Sequence, residues 1–243
     1  MARLRSHLAA ACCAAALAPA ADAQSPSLLL GTDVPVQYYA GVGLDVDRLG
    51  LAYRAGYPGE PYPGMLTGAM AAIGLDELYV DLIDDSFGGG WMNTLSAQVS
   101  TGRRRRFRIG LDVRHDRLRA SDDAVSLLGP VLGPGLTAAL AAAGGEAVEA
   151  RVRSNLTGLG LRASRDLRLG RDGRHRVRVE ASLAKYLEAA TSLAFDGDEL
   201  AAFEEVASGL AESILAREVF DPYGYVGGLG VAYVIGGASD PVD

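Results

Sequence analysis

Long runs of this chain repeat with a period of two. Tyr38, Ala40, Val42, Leu44 and Val46 alternate with Tyr39, Gly41, Gly43, Asp45 and Asp47. Leu49, Leu51 and Tyr53 alternate with Gly50, Ala52 and Arg54, and Phe107, Ile109, Leu111 and Val113 with Arg108, Gly110, Asp112 and Arg114. Val177, Val179, Ala181 and Leu183 alternate with Arg178, Glu180, Ser182 and Ala184, and Leu229, Val231, Tyr233 and Ile235 with Gly228, Gly230, Ala232 and Val234. Successive side chains of a strand leave opposite faces, so this pattern calls for strands with one apolar face and one polar or small face.

The stretch RRRRFRIGLDVRHDRLR, residues 103–119, shows how much the alternation decides. Its eight arginines, taken alone, suggest a grip on phosphate or nucleic acid. The whole chain has a net charge of −7, whereas a nucleic-acid-binding domain is usually basic. The arginines instead divide between a turn and one face of a strand.

Strands are expected near 36–46, 49–57, 67–75, 78–84, 91–101, 105–117, 148–169, 174–195 and 223–236, with a short additional strand at 28–32. Tight polar turns fall at Asp47-Arg48, Asp76-Glu77, Gly102-Arg103 and Arg171-Asp172-Gly173, the last an Asp-Gly hairpin signal. Longer connections run over 58–66, 84–90, 120–146 and 197–222. Short and long connections alternate, so an up-and-down meander gathers the short turns at one end and the long loops at the other. Two of the long loops have helical character. In DELAAFEEVASGLAESILARE, Leu200, Phe203, Val206, Leu210 and Ile214 recur at helical spacing behind Asp198 and Glu199. In the loop 120–146, Gly129-Pro130 and Gly133-Pro134 interrupt a helical composition.

The first residues carry Arg3 and Arg5, an apolar run from Leu8 to Leu17 and an Ala21-Asp22-Ala23 site. This is the pattern of a secretory signal peptide over 1–23, leaving 24–243 as one barrel domain. Cys12 and Cys13 both lie in that segment, so the exported chain has neither a disulfide framework nor thiol chemistry. No run of 18 apolar residues follows, so no membrane-spanning helix is expected.

Alternating strands in an exported chain fit either a soluble barrel, apolar inside, or a barrel in lipid, apolar outside. In lipid every backbone group must be paired, which admits helices or closed barrels only. The expected strands 148–169 and 174–195 are about twice the roughly 9–11 residues needed to cross, and the loop asymmetry fits a membrane barrel. The expectation is an all-β, up-and-down antiparallel transmembrane β-barrel of 8–10 strands with short helices in the long loops. Its polar face would carry Asp45, Asp47, Arg54, Asp81, Arg108, Asp112, Arg114, Arg151, Arg153, Arg162, Arg178 and Glu180 inside the lumen. Arginine suits bidentate pairing with such carboxylates. The lumen is then either a salt-bridged plug or an arginine-lined passage for a small anionic solute.

The signal segment and residues 28–237 together resemble small bacterial outer-membrane β-barrel proteins, in architecture rather than in any motif. The resemblance implies a place in the outer membrane, with outer-membrane lipid and the barrel-assembly machinery as partners. It implies a structural, surface-interaction or small-solute binding or passage role. Two departures stand out. The last strand runs on to Asp243 rather than ending on an aromatic residue, and aromatic residues make up only 7% of the chain. The girdles would draw on Tyr38, Tyr53, Tyr57, Tyr62, Trp91, Phe107, Tyr186, Tyr223, Tyr225 and Tyr233. The alternative is a soluble periplasmic β-barrel binding an apolar ligand.

Chemistry is sparsely encoded. Histidine occurs only at His7, His115 and His175. His115-Asp116 and Asp84-Asp85, at expected strand ends on the long-loop side, resemble the two pairs with which omptin surface proteases activate water. That resemblance implies Asp84, Asp85, His115 and Asp116 as a general-base site. Asp45-x-Asp47 lacks the ligands of a calcium loop. GGLGVA lies within a strand with no helix after it, which excludes a dinucleotide loop. The sequence calls for no cofactor and no metal.

Overall fold

Eight antiparallel strands follow one another around a closed ring, each paired with its neighbours in sequence and the last with the first. This computed structural model describes residues 24–72, 74–101, 107–170, 174–197, 200–214 and 224–236. The expected signal peptide, the Gly102-Arg103 and Arg171-Asp172-Gly173 turns, and Tyr223 lie outside those residues. The strands are β1 Gln24–Val34, β2 Gln37–Val46, β3 Leu49–Tyr57, β4 Phe87–Thr101, β5 Phe107–Asp123, β6 Glu149–Leu169, β7 His175–Phe195 and β8 Tyr225–Gly236.

Two of the expected strands are helices. Residues 67–75 fall largely in α1, Tyr62–Ala72, and residues 78–84 in α2, Glu77–Ser86. Proline is at home in a first helical turn, where its missing N–H is not needed, and Pro63 sits there in α1. Glu77 stands in the first turn of α2, where the helix dipole favours an acid, so Asp76-Glu77 starts a helix rather than making a hairpin. The short strand at 28–32 is real and runs from 24 to 34. Ten expected strands therefore become eight, and the ring still closes.

The ends differ in the way the sequence suggests, with one exception. The helices α1, α2, α3 (Ala124–Ala142), the 3₁₀ turn Gly145–Ala147 and α4 (Ala201–Ile214) all occupy one end, hereafter the cap end. The two-residue β1–β2 turn, Pro35-Val36, lies at that end as well. At the opposite end Asp47 sits in the β2–β3 turn at φ 51°, a conformation that aspartate tolerates. Helix α3 starts at Asp123, whose side chain accepts from the Val125 and Ser126 amides, and it breaks at Gly133, φ 73°.

The outward face is the apolar one. Ile109, Leu111, Val179, Val231 and Tyr233 are 51, 64, 45, 51 and 40% exposed, while Arg108, Asp112, Arg178 and Glu180, their sequence neighbours, are buried. A lipocalin-like soluble barrel has the reverse polarity, so that alternative is overturned. Tyr38, Tyr57, Trp91 and Tyr225 border the apolar belt toward the cap, and Phe107 and Tyr233 border it below. Tyr186 faces inward and takes no part in a girdle, and Tyr62, buried, stacks against Tyr38 with ring centroids 4.6 Å apart. The nine residues of β3 cover about 20 Å of height at a rise of ~3.3 Å and the usual barrel tilt, close to the lipid band of such barrels.

Strands β5, β6 and β7 rise past this belt. Their inner faces there meet α3 and α4 in a small core of Ala124, Leu127, Leu128, Leu140, Val148, Ala150, Leu193, Leu200 and Ala207. The cap is thus folded against the barrel wall by ordinary apolar burial.

Candidate functional site

The lumen contains three levels. At the end away from the cap, Arg108 holds Asp45 bidentately, Nη1 to Oδ1 at 2.5 Å and Nη2 to Oδ2 at 3.0 Å. Beside it Asp166 accepts from Arg176 at 3.0 Å and from Arg178 Nε at 2.6 Å. At mid-height Glu180 accepts from Arg54 at 2.8 Å, lies 3.2 Å from Arg162 and bonds the Tyr39 hydroxyl. Arg162 also donates to Asp112 at 2.7 Å, and Ser96 donates to the other oxygen of Asp112 at 2.6 Å. Nearer the cap, Asp116 accepts from Arg114 at 3.2 Å and from the Tyr186 hydroxyl.

Charge in this lumen is balanced. The buried charged residues among those described are the arginines 54, 108, 114, 162, 176 and 178, against Asp33, Asp45, Asp112, Asp116, Asp166 and Glu180. Eight strands leave an interior just wide enough for side chains to fill. Glycines make the room: a Cβ on Gly230 would stand 2.3 Å from Asp33 Oδ1, and one on Gly50 would stand 2.8 Å from Arg108 Nη1.

Of the expected luminal set, Asp45, Arg54, Arg108, Asp112, Arg114, Arg162, Arg178 and Glu180 face the lumen. Four do not. Asp47 is in the turn, where strand parity no longer applies, and is exposed. Asp81 is exposed on α2 because its segment is helical. Arg151 and Arg153 point outward: β6 keeps one parity throughout, and Arg162 lies an odd number of residues away on the inner face. Asp33, Asp166, Arg176, Tyr39 and Tyr186 belong to the network and escaped the sequence reading. For Asp166 and Arg176 the parity of Arg162 and Arg178 was a sufficient signal.

The protease constellation is not assembled. His115 and Asp116 are adjacent on β5 and leave opposite faces, His115 toward Thr157 on the outer wall and Asp116 into the lumen. Asp84 and Asp85 are exposed on α2, with Asp84 accepting from Thr67 at 2.6 Å.

Above the charged levels lies an apolar layer of Val36, Met92, Ala184 and Val226, with Tyr186 packed against it. Over that layer, under the helices, is a cavity of about 200 Å³. Leu66 and Met70 of α1 and Ile83 of α2 line one side. Leu127 and Leu128 of α3, with Val152 and Leu156 of β6, line the other. Arg119 borders the cavity, and three of its other polar lining groups already have protein partners. Thr67 donates to Asp84, Ser154 bonds Thr191 at 3.1 Å, and the Tyr186 hydroxyl is held by Asp116. The chamber therefore offers an occupant contact with carbon and little else. Two of its walls, α1 and α2, come from segments whose sequences also fit strands, so the chamber is not visible in the sequence.

No protein-family model matches the chain, and no curated protein matches it by sequence. Solved structures match in shape. A major outer membrane protein from Thermus thermophilus aligns at a TM-score of 0.47 and 12% identity, over 88% of this chain and all of that one. The N-terminal β-barrel domain of Pseudomonas aeruginosa OprF aligns at 0.36 and 9%, over 88% and 97%. Acinetobacter baumannii CarO aligns at 0.36 and 9%, over 87% and 96%. At 9–12% identity these likenesses concern the fold alone.

Proposed function

We propose that this chain is an outer-membrane β-barrel with a closed lumen whose cap-end chamber binds a small apolar molecule. The apolar outward belt supports the membrane placement. The observation that carries the binding reading is the cavity of about 200 Å³ between α1, α2, α3 and the inner faces of the raised strands. Apolar cavities of about 150 Å³ stay dry and take up benzene-sized guests, so one aromatic ring or a short alkyl chain is the class of occupant that fits. Each methylene buried there contributes about 0.8 kcal/mol. The balanced ion pairs below argue against onward passage, including passage of a small anionic solute.

Methionine methyl groups report on this reading directly. Met70 and Met92 line the chamber, whereas Met65 is exposed outside it. With ¹³C-methyl methionine in the refolded barrel, benzene titration is expected to shift Met70 and Met92 saturably and to leave Met65 in place. Met70→Trp, which fills the chamber, is expected to abolish the Met92 response. Equal drift of all three methyls, as from partitioning into detergent, refutes chamber binding. Ion-conducting steps in a planar bilayer refute the closed lumen.

A further inference from the structure

Four arginines share the outward surface just above the apolar belt. Arg117 and Arg119 lie on β5, and Arg151 and Arg153 on β6, with Arg119 directly opposite Arg153 in the register. Arg117 is flanked across the strands by Trp91 on β4 and Asn155 on β6. Arg151 is neutralised by Glu149 at 3.0 Å and Asp196 at 2.9 Å. Among the described residues Arg117, Arg119 and Arg153 have no ion pair.

Like charges set directly opposite on one sheet face repel, and this pair stands in a chain of net charge −7. Its position explains it. Trp91, 59% exposed, marks the water–lipid boundary at the cap end, the level at which interfacial aromatic residues sit. One register step above it is the depth of lipid headgroups. Acyl chains at that depth run down the wall formed by Val113, Leu111, Leu159 and Leu161, all exposed.

We propose that Arg117, Arg119 and Arg153 form a binding site for the phosphate of a lipid headgroup in the leaflet on the cap side. Guanidinium groups suit phosphate because they offer paired donors in one plane. The site rests on the membrane placement proposed above, though not on the apolar chamber.

The test uses the full mature barrel in zwitterionic detergent, after its heat-modifiable gel shift has been recorded. Absence of that shift, or failure to insert into vesicles, counts against the membrane placement itself. Retention of lipid A, of phosphatidylcholine and of inorganic phosphate is then measured by native mass spectrometry. Lipid A is expected to be retained over phosphatidylcholine. The double variant Arg119→Gln/Arg153→Gln is expected to bind lipid A about thirtyfold more weakly, since each basic residue at an anionic surface is worth about fivefold. Arg165→Gln, on the outward face toward the other end, is expected to bind as the parent does. Equal retention by the parent and the double variant overturns the site. So does inorganic phosphate bound as tightly as lipid A, which would mark a soluble-anion site.

Discussion

Replacing Glu180 by glutamine keeps the shape of the side chain and removes one negative charge from the middle of the lumen. Glu180 is 2% exposed, with Arg54 at 2.8 Å and Arg162 at 3.2 Å. At an effective dielectric constant of about 20, each pair is worth roughly 5–6 kcal/mol in Coulomb terms. Glutamine avoids several kcal/mol of carboxylate desolvation, so the net loss expected is about 3–5 kcal/mol, the range for breaking a buried pair from one side. Arg162 keeps Asp112 and Arg54 keeps Ser96, which places the loss toward the lower end. The assay is urea unfolding of the barrel in detergent, followed by the fluorescence of Trp91 and by gel mobility. The double variant Arg54→Met/Glu180→Gln removes the mismatched charge and is expected to recover part of the loss. A loss below about 1 kcal/mol for the single variant would mean that water screens the lumen, and the sealed-plug argument would fail.

Two further substitutions probe the cap and the packing of the plug. Asp123→Ala removes the α3 cap and is expected to lower the protection of α3 against hydrogen exchange by about 1 kcal/mol, and unchanged protection refutes the capping role. Burial raises the Asp123 carboxyl, but hydrogen bonds from the Ser126 hydroxyl and the Ser126 and Val125 amides outweigh it and leave it below the ordinary value. A depressed carboxylate stabilises above its unfolded pKa, so protection of α3 is expected to be full at neutral pH and to fall as the solution is acidified through the lowered value. Gly230→Val places a Cβ 2.3 Å from Asp33 Oδ1 and 3.3 Å from Glu180 Cγ, and is expected to yield little heat-modifiable barrel. A normal yield would show that these side chains have room to move.

The barrel was legible in the sequence because strand parity is carried by many residues at once. From Phe107 to Arg114 every side chain falls on the face its neighbours demand. Long alternation leaves one solution, whereas short apolar segments leave two. LTGAMAA and ELYVDLIDD have apolar residues at helical spacing and at near-alternate spacing together, and only length and flanks separate the readings. That ambiguity cost the reading two chamber walls as well as two elements. The luminal network failed in a different way. Arg151 and Arg153 were assigned by charge rather than by parity, and Asp33 was lost because β1 barely alternates. Tyr186 keeps the inward parity of Arg178, Glu180 and Ala184, and the bulge of β7 comes only after it. Parity therefore places it in the lumen, whereas its aromatic type suggests a girdle. Its pairing with Asp116 depends on the barrel geometry.

The ring is closed by its two most distant strands. β1 meets β8 from Ser27 opposite Gly236 to Val34 opposite Leu229, whereas β6 and β7 pair along nearly all of their 21 residues. The hairpin β6–β7 brings together neighbours in sequence, so its loop-closure entropy is small. The β1–β8 seam joins residues about two hundred positions apart and can form only when every intervening strand is in register. An end strand is therefore not a dispensable appendage. Deleting either one exposes two unpaired edges to hydrocarbon, where each lost backbone bond costs several kcal/mol, so truncation by a single strand leaves no partly competent barrel.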